Sequence, residues 1–406
     1  LHSTSRRQRQ MCIRDRMFTG VKVAKSYVSV LDIGSSRVSV LVGTSGINST
    51  FIIKGQGEAS YAGFGEGEFY EPEKLGSVIS AALTRAEENA GFAIRHLYVG
   101  IPAEFCNCVC KTISSNFAAR KKITEDVLSE HYEKSYEDKD GQTLISCNAI
   151  YNILDDGKRA LNPVGCKTTK ITSMVSLIYA EDSFITSINK ILQTLGIERV
   201  TYVSSSLCEA KYVLEPENRT GAGMLIDIGY ITSSVAVVRG EGLLMLNSFS
   251  LGGGHIMADL AECLNISFSD AEQLKRKIVL SLSPSEKDYY EIPGAGATKQ
   301  ISIKMANEIV MARLDMICTC IQKCISLYAQ ETADYIPLFL TGGGVCYIKG
   351  AKDYIAKRLG RNIELAFPPL PELNKPSYSS ILGLLSHAIK EEEKNKISFL
   401  AKLLKR

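Results

Sequence analysis

A short segment that occurs twice constrains this chain more than any other feature. Val30 to Val42 reads VLDIGSSRVSVLV, and Leu225 to Val238 reads LIDIGYITSSVAVV. In each, an apolar run ends at Asp-Ile-Gly, a short polar turn follows, and an alternating apolar run begins. That pattern predicts strand, tight hairpin, strand. Gly34 and Gly229, after the aspartates, let backbone approach a group that a Cβ would exclude. Hydroxyls in the turns, Ser35 and Ser36 in one copy and Thr232, Ser233 and Ser234 in the other, can join successive N–H groups in an anion nest. Asp32 and Asp227 are suited to face a hydrated Mg²⁺. One Asp-Ile-Gly is an ordinary strand end; two facing copies would grip the phosphates of a nucleotide from both sides.

At 406 residues the chain has room for two or more domains. With 45% hydrophobic and 22% charged residues it has the composition of a soluble globular protein. A net charge of +3 and no basic stretch interleaved with aromatics argue against a nucleic-acid partner. The twelve cysteines include no paired CxxC spacing and no nearby cluster of histidines, so reduced thiols in a cytosolic compartment are expected rather than zinc. No apolar run is long enough to span a bilayer. Leu1 to Arg16, LHSTSRRQRQMCIRDR, is basic and aperiodic and lacks the apolar centre of a secretory signal. It reads as translated cloning or adapter sequence ahead of a start at Met17, or else as a disordered basic arm.

Further along, alternation predicts a strand over Phe51 to Ala59, and a helix spans Pro72 to Asn89, closed by Gly91. A strand from His96 to Gly100 precedes a change of character over 104–178, read as a small α+β insertion carried by the first domain. Helices follow at Asp182 to Leu195 and Leu207 to Leu214. The second hairpin then opens the second half, with helices expected at Ile256 to Leu264, Ser269 to Val279, Met305 to Tyr328 and Lys349 to Leu359, and a turn at Ile292 to Gly296.

Four signals align. Beside the hairpins, Gly342, Gly343 and Gly344 form a glycine-rich strand-to-helix turn where bare backbone can lie against a nucleoside. Glu272 and Lys275 sit one helical turn apart and can reach the same ribose or base. Gly252 and Gly253 complete the candidate nucleotide set. This order resembles the actin/Hsp70/sugar-kinase superfamily, and within it the chain is similar to the FtsA family of bacterial cell-division proteins. The similarity is carried by LDIGSSRVSVLVG at 31–43, LNPVGCK at 161–167, SLGGGHIMADLAECL at 250–264, AEQLK at 271–275, LTGGGVCYIKGA at 340–351 and PSYSSILGLL at 376–385.

The resemblance implies an α/β, actin-like ATPase fold, with duplicated RNase H-like lobes and an inserted 1C domain of the SHS2 type. It divides the chain into domain 1A at 17–103 and 179–215, 1C at 104–178, 2A/2B at 216–388, a charged linker at 389–396 that reads equally as an exposed helix extension from Lys390 to Lys396, and an amphipathic helix at 397–406. It implies ATP and Mg²⁺ as cofactors and the FtsZ C-terminal peptide, further copies of the chain, anionic lipid and later divisome membrane proteins as partners. The location implied is the cytoplasmic face of the bacterial inner membrane at the septum. In the tail, Ile397, Phe399, Leu400, Leu403 and Leu404 fill about half a helical wheel, with Lys402, Lys405 and Arg406 opposite or at its edge, the pattern of an interfacial helix.

The chain departs from the family where it matters most. The family's second hairpin runs Asp-Ile-Gly-Gly-Gly-Thr-Thr-Asp; here Tyr230 and Ile231 stand where glycines are expected, and Ser234 replaces the last aspartate. Where relatives often carry an acid that positions water, Ser204, Ser205 and Ser206 appear. Nucleotide binding with weak hydrolysis at most is therefore expected. A PilM-like pilus-assembly protein, or a sugar kinase or Hsp70-type ATPase, is the alternative on the same fold.

Overall fold

A computed structural model describes residues 27–46, 50–61, 63–293, 298–328 and 335–404, with backbone alone at 372 and over 397–404. The leader at 1–16, the start at Met17, Lys405, Arg406 and the side chains of the proposed lipid-facing residues lie outside what is described.

Each Asp-Ile-Gly hairpin occupies the centre of its own five-stranded sheet. The first sheet runs Phe51–Ser60, Arg37–Ser45, Val28–Ile33, His96–Ile101, Arg199–Ser204 from edge to edge. The second runs Gly242–Phe249, Ser233–Arg239, Gly223–Ile228, Leu338–Thr341, Ile363–Leu365. In both, the first three strands in sequence form an antiparallel meander and the last two add in parallel beside the first. The central strands read as continuous apolar runs because both faces of each sheet are covered.

In the first lobe, the helices Pro72–Ala90 and Asp182–Thr194 cover one face through Leu75, Ile79, Phe184 and Ile188. The other face is covered by the last helix, Ser379–Leu404, through Ile381, Leu382, Leu384 and Leu385. In the second lobe, Gly253–Cys263, Phe268–Lys277, Ile303–Ser326 and Ala351–Leu359 enclose a core around Ile226, Ile228, Val235 and Leu340. Leu207 and Ala210 of the helix Ser205–Val213, with Leu214 just beyond its end, pack on Leu225, Ala236 and Val238, joining the lobes.

The inserted segment leaves the first sheet after its fourth strand. Cys106–Lys122, Lys167–Glu181, Gln142–Leu154 and Arg159–Ala160 form an antiparallel sheet. Its one helix, Glu125–Glu133, is capped by Thr124, whose hydroxyl accepts the Val127 N–H at 3.3 Å. The insert also touches the second lobe: Leu243 N–H donates to Ser176 Oγ at 3.2 Å and Glu241 N–H to the Ala149 carbonyl at 3.1 Å.

Of the two readings of the charged stretch 389–396, helix extension or short linker, the structure has the helix, continuous with Ser379–Leu404, and two other expectations need correction. Ala388 and Ile389 stay buried, and Glu392 accepts from Tyr98 Oη and from Arg199, each at 3.0 Å, so tertiary contacts hold the helix on past its apolar face. The helix expected from Ile256 starts at Gly253, because the N–H groups of Gly253 and Gly254 find carbonyl partners on the second hairpin. Ile292 ends a strand, Tyr289–Ile292, paired with Lys299–Ser302, where a turn was expected; side-chain alternation over so few residues is a weak signal.

Candidate nucleotide site

The two hairpin turns close in the same way. Gly34 N–H donates to the Arg37 carbonyl at 2.9 Å, and Gly229 N–H to that of Thr232 at 3.0 Å. Register repeats as well: Asp32 lies opposite Ser39 and beside Gly100, and Asp227 opposite Ser234 and beside Thr341. Parallel sheets place ligands beyond the carboxyl ends of their strands, and here both sheets aim those ends at one cleft.

The cleft has a volume of about 930 Å³. Asp32, Gly34, Ser35, Ser36, Asp227, Gly229, Thr232, Glu272, Lys275, Gly342 and Gly343 all line it. Gly252, Gly253 and Gly344 do not. These three lie behind the second hairpin: Gly253 N–H donates to the Gly229 carbonyl at 2.9 Å, and Gly344 N–H to that of Ile228 at 2.7 Å. A Cβ on Gly344 would stand 2.1 Å from the Gly229 carbonyl oxygen, and one on Gly253 2.2 Å from that of Gly344. Their lack of side chains lets backbone press on backbone and fixes the hairpin from the rear. Gly342, at φ +97°, sits at the front, where a Cβ would fall 2.1 Å from Asp227 Oδ1.

The two ends of the cleft differ electrostatically. At the hairpin end, burial pushes the Asp32 carboxyl up to about 6, against the lowering influence of the Ser380 hydrogen bond at 3.0 Å, of Arg37 and of the Ser205 hydroxyl. Burial and the charge of Asp32 together raise Asp227. Glu209, almost fully buried, is raised well above the carboxylate range by burial, then by Asp227 and Asp32. Three acids gathered at one end of the cleft, with no ion pair to any of them among the described residues, call for a cation. Among the described residues no three carboxylate, histidine or cysteine side chains converge as direct metal ligands. A hydrated Mg²⁺ held through its waters by Asp32 and Asp227 suits this donor set, and the chemistry it would supply is neutralisation of phosphate charge.

At the other end, Lys275 is buried, its Nζ donating to the Gly253 carbonyl and lying 5.3 Å from the centre of the Tyr347 ring. Burial lowers its ammonium to about 8. Glu272 pairs with Arg276 rather than Lys275, accepting from its Nε at 3.0 Å. Thus Lys275 is part of the wall, while Glu272, Arg276 and Tyr347 form its inner surface.

The odd second turn is accommodated in a specific way. The Tyr230 ring lies over Gly254, where a Cβ would be only 2.9 Å from it, and its hydroxyl reaches Met257 Sδ at 3.9 Å. Ile231 N–H donates to Ser35 Oγ at 3.0 Å, so the two turns are bonded to each other across the cleft. The Ile231 side chain reaches the backbone of Gly63 in the first lobe, where a Cβ would meet its Cδ1 at 2.8 Å.

Sequence reasoning missed Glu209, Ser380 and Arg37 as cleft residues. Glu209 has no motif around it; only an acid at a core position of an otherwise apolar helix, LCEAKYVL, marked it. Ser380 lies in the stretch PSYSSILGLL, and nothing local says that this stretch ends beside Asp32.

Comparison with known proteins agrees with this geometry. Residues 224–383 match the family model described as cell division protein FtsA. The cell division protein FtsA of Enterococcus hirae is 23% identical over 382 residues, covering 91% of this chain and 85% of the relative. That of Neisseria meningitidis serogroup B is 24% identical over 384 residues, covering 90% and 91%. Among solved structures, the PilM-PilN type IV pilus biogenesis complex aligns with TM-score 0.59 at 16% identity, over 90% of this chain and 99% of that one. MreB5 of Spiroplasma citri bound to ADP aligns with TM-score 0.54 at 12% identity, over 92% and 98%. At these identities the structures speak for the fold alone, and the fold is actin-like. By sequence across nine-tenths of its length the chain is similar to the FtsA cell-division proteins, and the architecture of both lobes is actin-like.

Proposed function

We propose that the cleft binds ATP with Mg²⁺, and that the chain is an actin-like division protein which assembles with copies of itself on the inner membrane surface and tethers FtsZ there through the FtsZ C-terminal peptide. The observation that carries the nucleotide reading is the convergence of both Asp-Ile-Gly hairpins on one cleft that Gly342 and Gly343 also line. In this reading the N–H groups and hydroxyls around Gly34, Ser35, Ser36, Gly229 and Thr232 hold phosphates, and Glu272 with the Gly342–Gly343 backbone holds the nucleoside. ADP bound to the MreB5 relative of the fold supports it. Tyr230 puts bulk at the second turn, where phosphate oxygens would approach, so modest affinity is expected.

The unbroken helix to Leu404 supports the membrane part of the reading, since the amphipathic sequence from Ile397 continues an element already rooted in the first lobe. One short helix binds lipid weakly, and assembly into polymers would multiply it. Recruitment of later divisome proteins would follow from the same assembly.

The deciding measurement is ATP binding by the full chain with Mg²⁺, beside Asp227→Ala. Binding that the variant loses supports the twin-hairpin site, whereas binding that the variant keeps places the nucleotide elsewhere. For the tail, full chain should sediment with anionic vesicles and a chain ending at Lys396 should not; equal sedimentation would remove the tether.

A further inference from the structure

We propose that the hairpin Phe64–Phe69 is a clasp between the two lobes, fastened by Ser250 and Glu104, and that its unfastening sets how fast a ligand enters and leaves the cleft. This rests on the nucleotide reading above and adds to it a control on the traffic of that site.

The hairpin is strained at its tip. Phe64–Gly65 pairs with Glu68–Phe69 across the two-residue turn Glu66-Gly67. Both turn residues have positive φ, +55° and +78°, the combination that the tightest hairpins favour. Gly67 adopts it freely. Glu66 does not, because a Cβ crowds the neighbouring backbone in that region. Among the described residues Asn265 is the one other non-glycine with positive φ, and asparagine tolerates it. A glutamate held against its preference points to a contact that holds it there.

That contact belongs to the other lobe. Glu66 N–H donates to Ser250 Oγ at 2.8 Å, and the Ser250 hydroxyl donates to Glu104 Oε1 at 3.0 Å. Gly67 N–H donates to the second oxygen of Glu104 at 3.4 Å. Ser250 follows the strand Gly242–Phe249 of the second sheet, whereas Glu66, Gly67 and Glu104 belong to the first lobe. One serine hydroxyl, used as acceptor and donor, therefore ties the hairpin tip across the lobes. Gly65 leaves room for the approach: a Cβ there would stand 2.1 Å from Tyr70 Oη and 3.4 Å from Ser250 Oγ.

The root of the hairpin is firm where the tip is not. The Phe64 and Phe69 rings pack on Phe105 at centroid distances of 5.4 and 5.3 Å, and Phe69 also packs on Phe184 at 5.9 Å. Phe64 and Glu104 line the cleft, while Glu66 and Ser250 do not, so the clasp stands at the margin of the site without touching its phosphate-facing groups. A gate in that position changes entry and exit alike and leaves affinity alone, whereas a ligand contact changes affinity.

The test is stopped-flow binding and release of N-methylanthraniloyl ATP with Mg²⁺ by the full chain. Ser250→Ala should raise the association and release rates together, each by about tenfold, with Kd within about threefold of the parent. Glu66→Gly keeps the N–H and removes the crowding, so both rates should stay within about twofold. Hydrogen exchange over residues 63–69, measured without nucleotide, should quicken about tenfold in Ser250→Ala and not in Glu66→Gly. Unchanged rates in Ser250→Ala overturn the proposal, as does a loss of affinity in place of the matched rise, or unchanged exchange. A parent chain that binds no analogue overturns the nucleotide reading itself, and the exchange experiment still decides whether Ser250 fastens the hairpin.

Discussion

In the first hairpin the turn Gly34-Ser35-Ser36-Arg37 offers two hydroxyls and a guanidinium to the cleft; in the second, Gly229-Tyr230-Ile231-Thr232 offers a phenol ring and one hydroxyl, while the Ile231 side chain turns to Gly63. Yet both close with the same N–H to carbonyl bond, at 2.9 and 3.0 Å, and both place their aspartate against a serine of the returning strand. Backbone geometry therefore survives where side-chain chemistry has diverged. The reason lies behind the turns. The second is braced by Gly253, Gly254 and Gly344, whose N–H groups take its carbonyls, so its path does not depend on what its own side chains do. Tyr230 and Ile231 are free to change because glycines elsewhere hold the loop.

That bracing gives the largest expected effect. Gly344→Ala forces a Cβ to within 2.1 Å of a carbonyl oxygen and should destabilise the fold by about 3 kcal/mol, read as a lowered unfolding midpoint. Gly221→Ala, where a Cβ meets nothing within 4 Å, should stay within about 0.5 kcal/mol. Equal behaviour of the two would break the claim that the second hairpin is held from the rear.

The aspartates come next. Asp32→Ala and Asp227→Ala should each weaken ATP binding in Mg²⁺ by about a hundredfold, which is ~2.7 kcal/mol. Loss in only one of them would mean that the hairpins are not functional equals. Neither change should destabilise the empty protein at pH 7. An acid whose folded pKa is raised is destabilising when ionised, so stability falls as pH rises from about 4 through the folded value, about 6 for Asp32. Removing that charge should flatten this part of the stability profile, measured by denaturation between pH 4 and pH 7.

The turns themselves carry smaller effects. Tyr230→Gly should tighten nucleotide binding by about tenfold, ~1.4 kcal/mol, by clearing the ring from the second nest. An unchanged affinity would show that the ring, lying over Gly254, is already out of the way. Ser35→Ala removes the acceptor of the Ile231 N–H and should change affinity by no more than about threefold, because the lost phosphate contact is offset by release of the bond between the turns. A much larger loss would make Ser35 a primary phosphate ligand.

Much of the fold was legible because it rests on short-range pattern. Apolar runs ending at Asp32 and Asp227 are long enough to specify central strands, and their recurrence specified two lobes. Helices such as Pro72–Ala90, with Pro72 in its first turn and Gly91 in the left-handed conformation beyond its end, carry their own boundaries. Weak patterns decided less: four residues at Tyr289–Ile292 are too few to show alternation, and the lysines and glutamates of 390–396 suit a helix extension or a linker until Glu392 meets Tyr98 and Arg199.

For the site, most of the residues that the sequence offered for a nucleotide line one cleft in the structure. It did so because the Asp-Ile-Gly turns and the Gly342–Gly344 turn obtain their properties from adjacent residues. Only the tertiary structure decided which glycines face the cleft and which press on backbone behind it, since both kinds look alike in a string. It alone brought Ser205 and Glu209 beside Asp32 and Asp227, and Ser380 to Asp32 from 348 positions away. Burial, long-range hydrogen bonds and the mutual repulsion of carboxylates are properties of packed neighbours, and neighbours distant along the chain are what a sequence read locally does not contain.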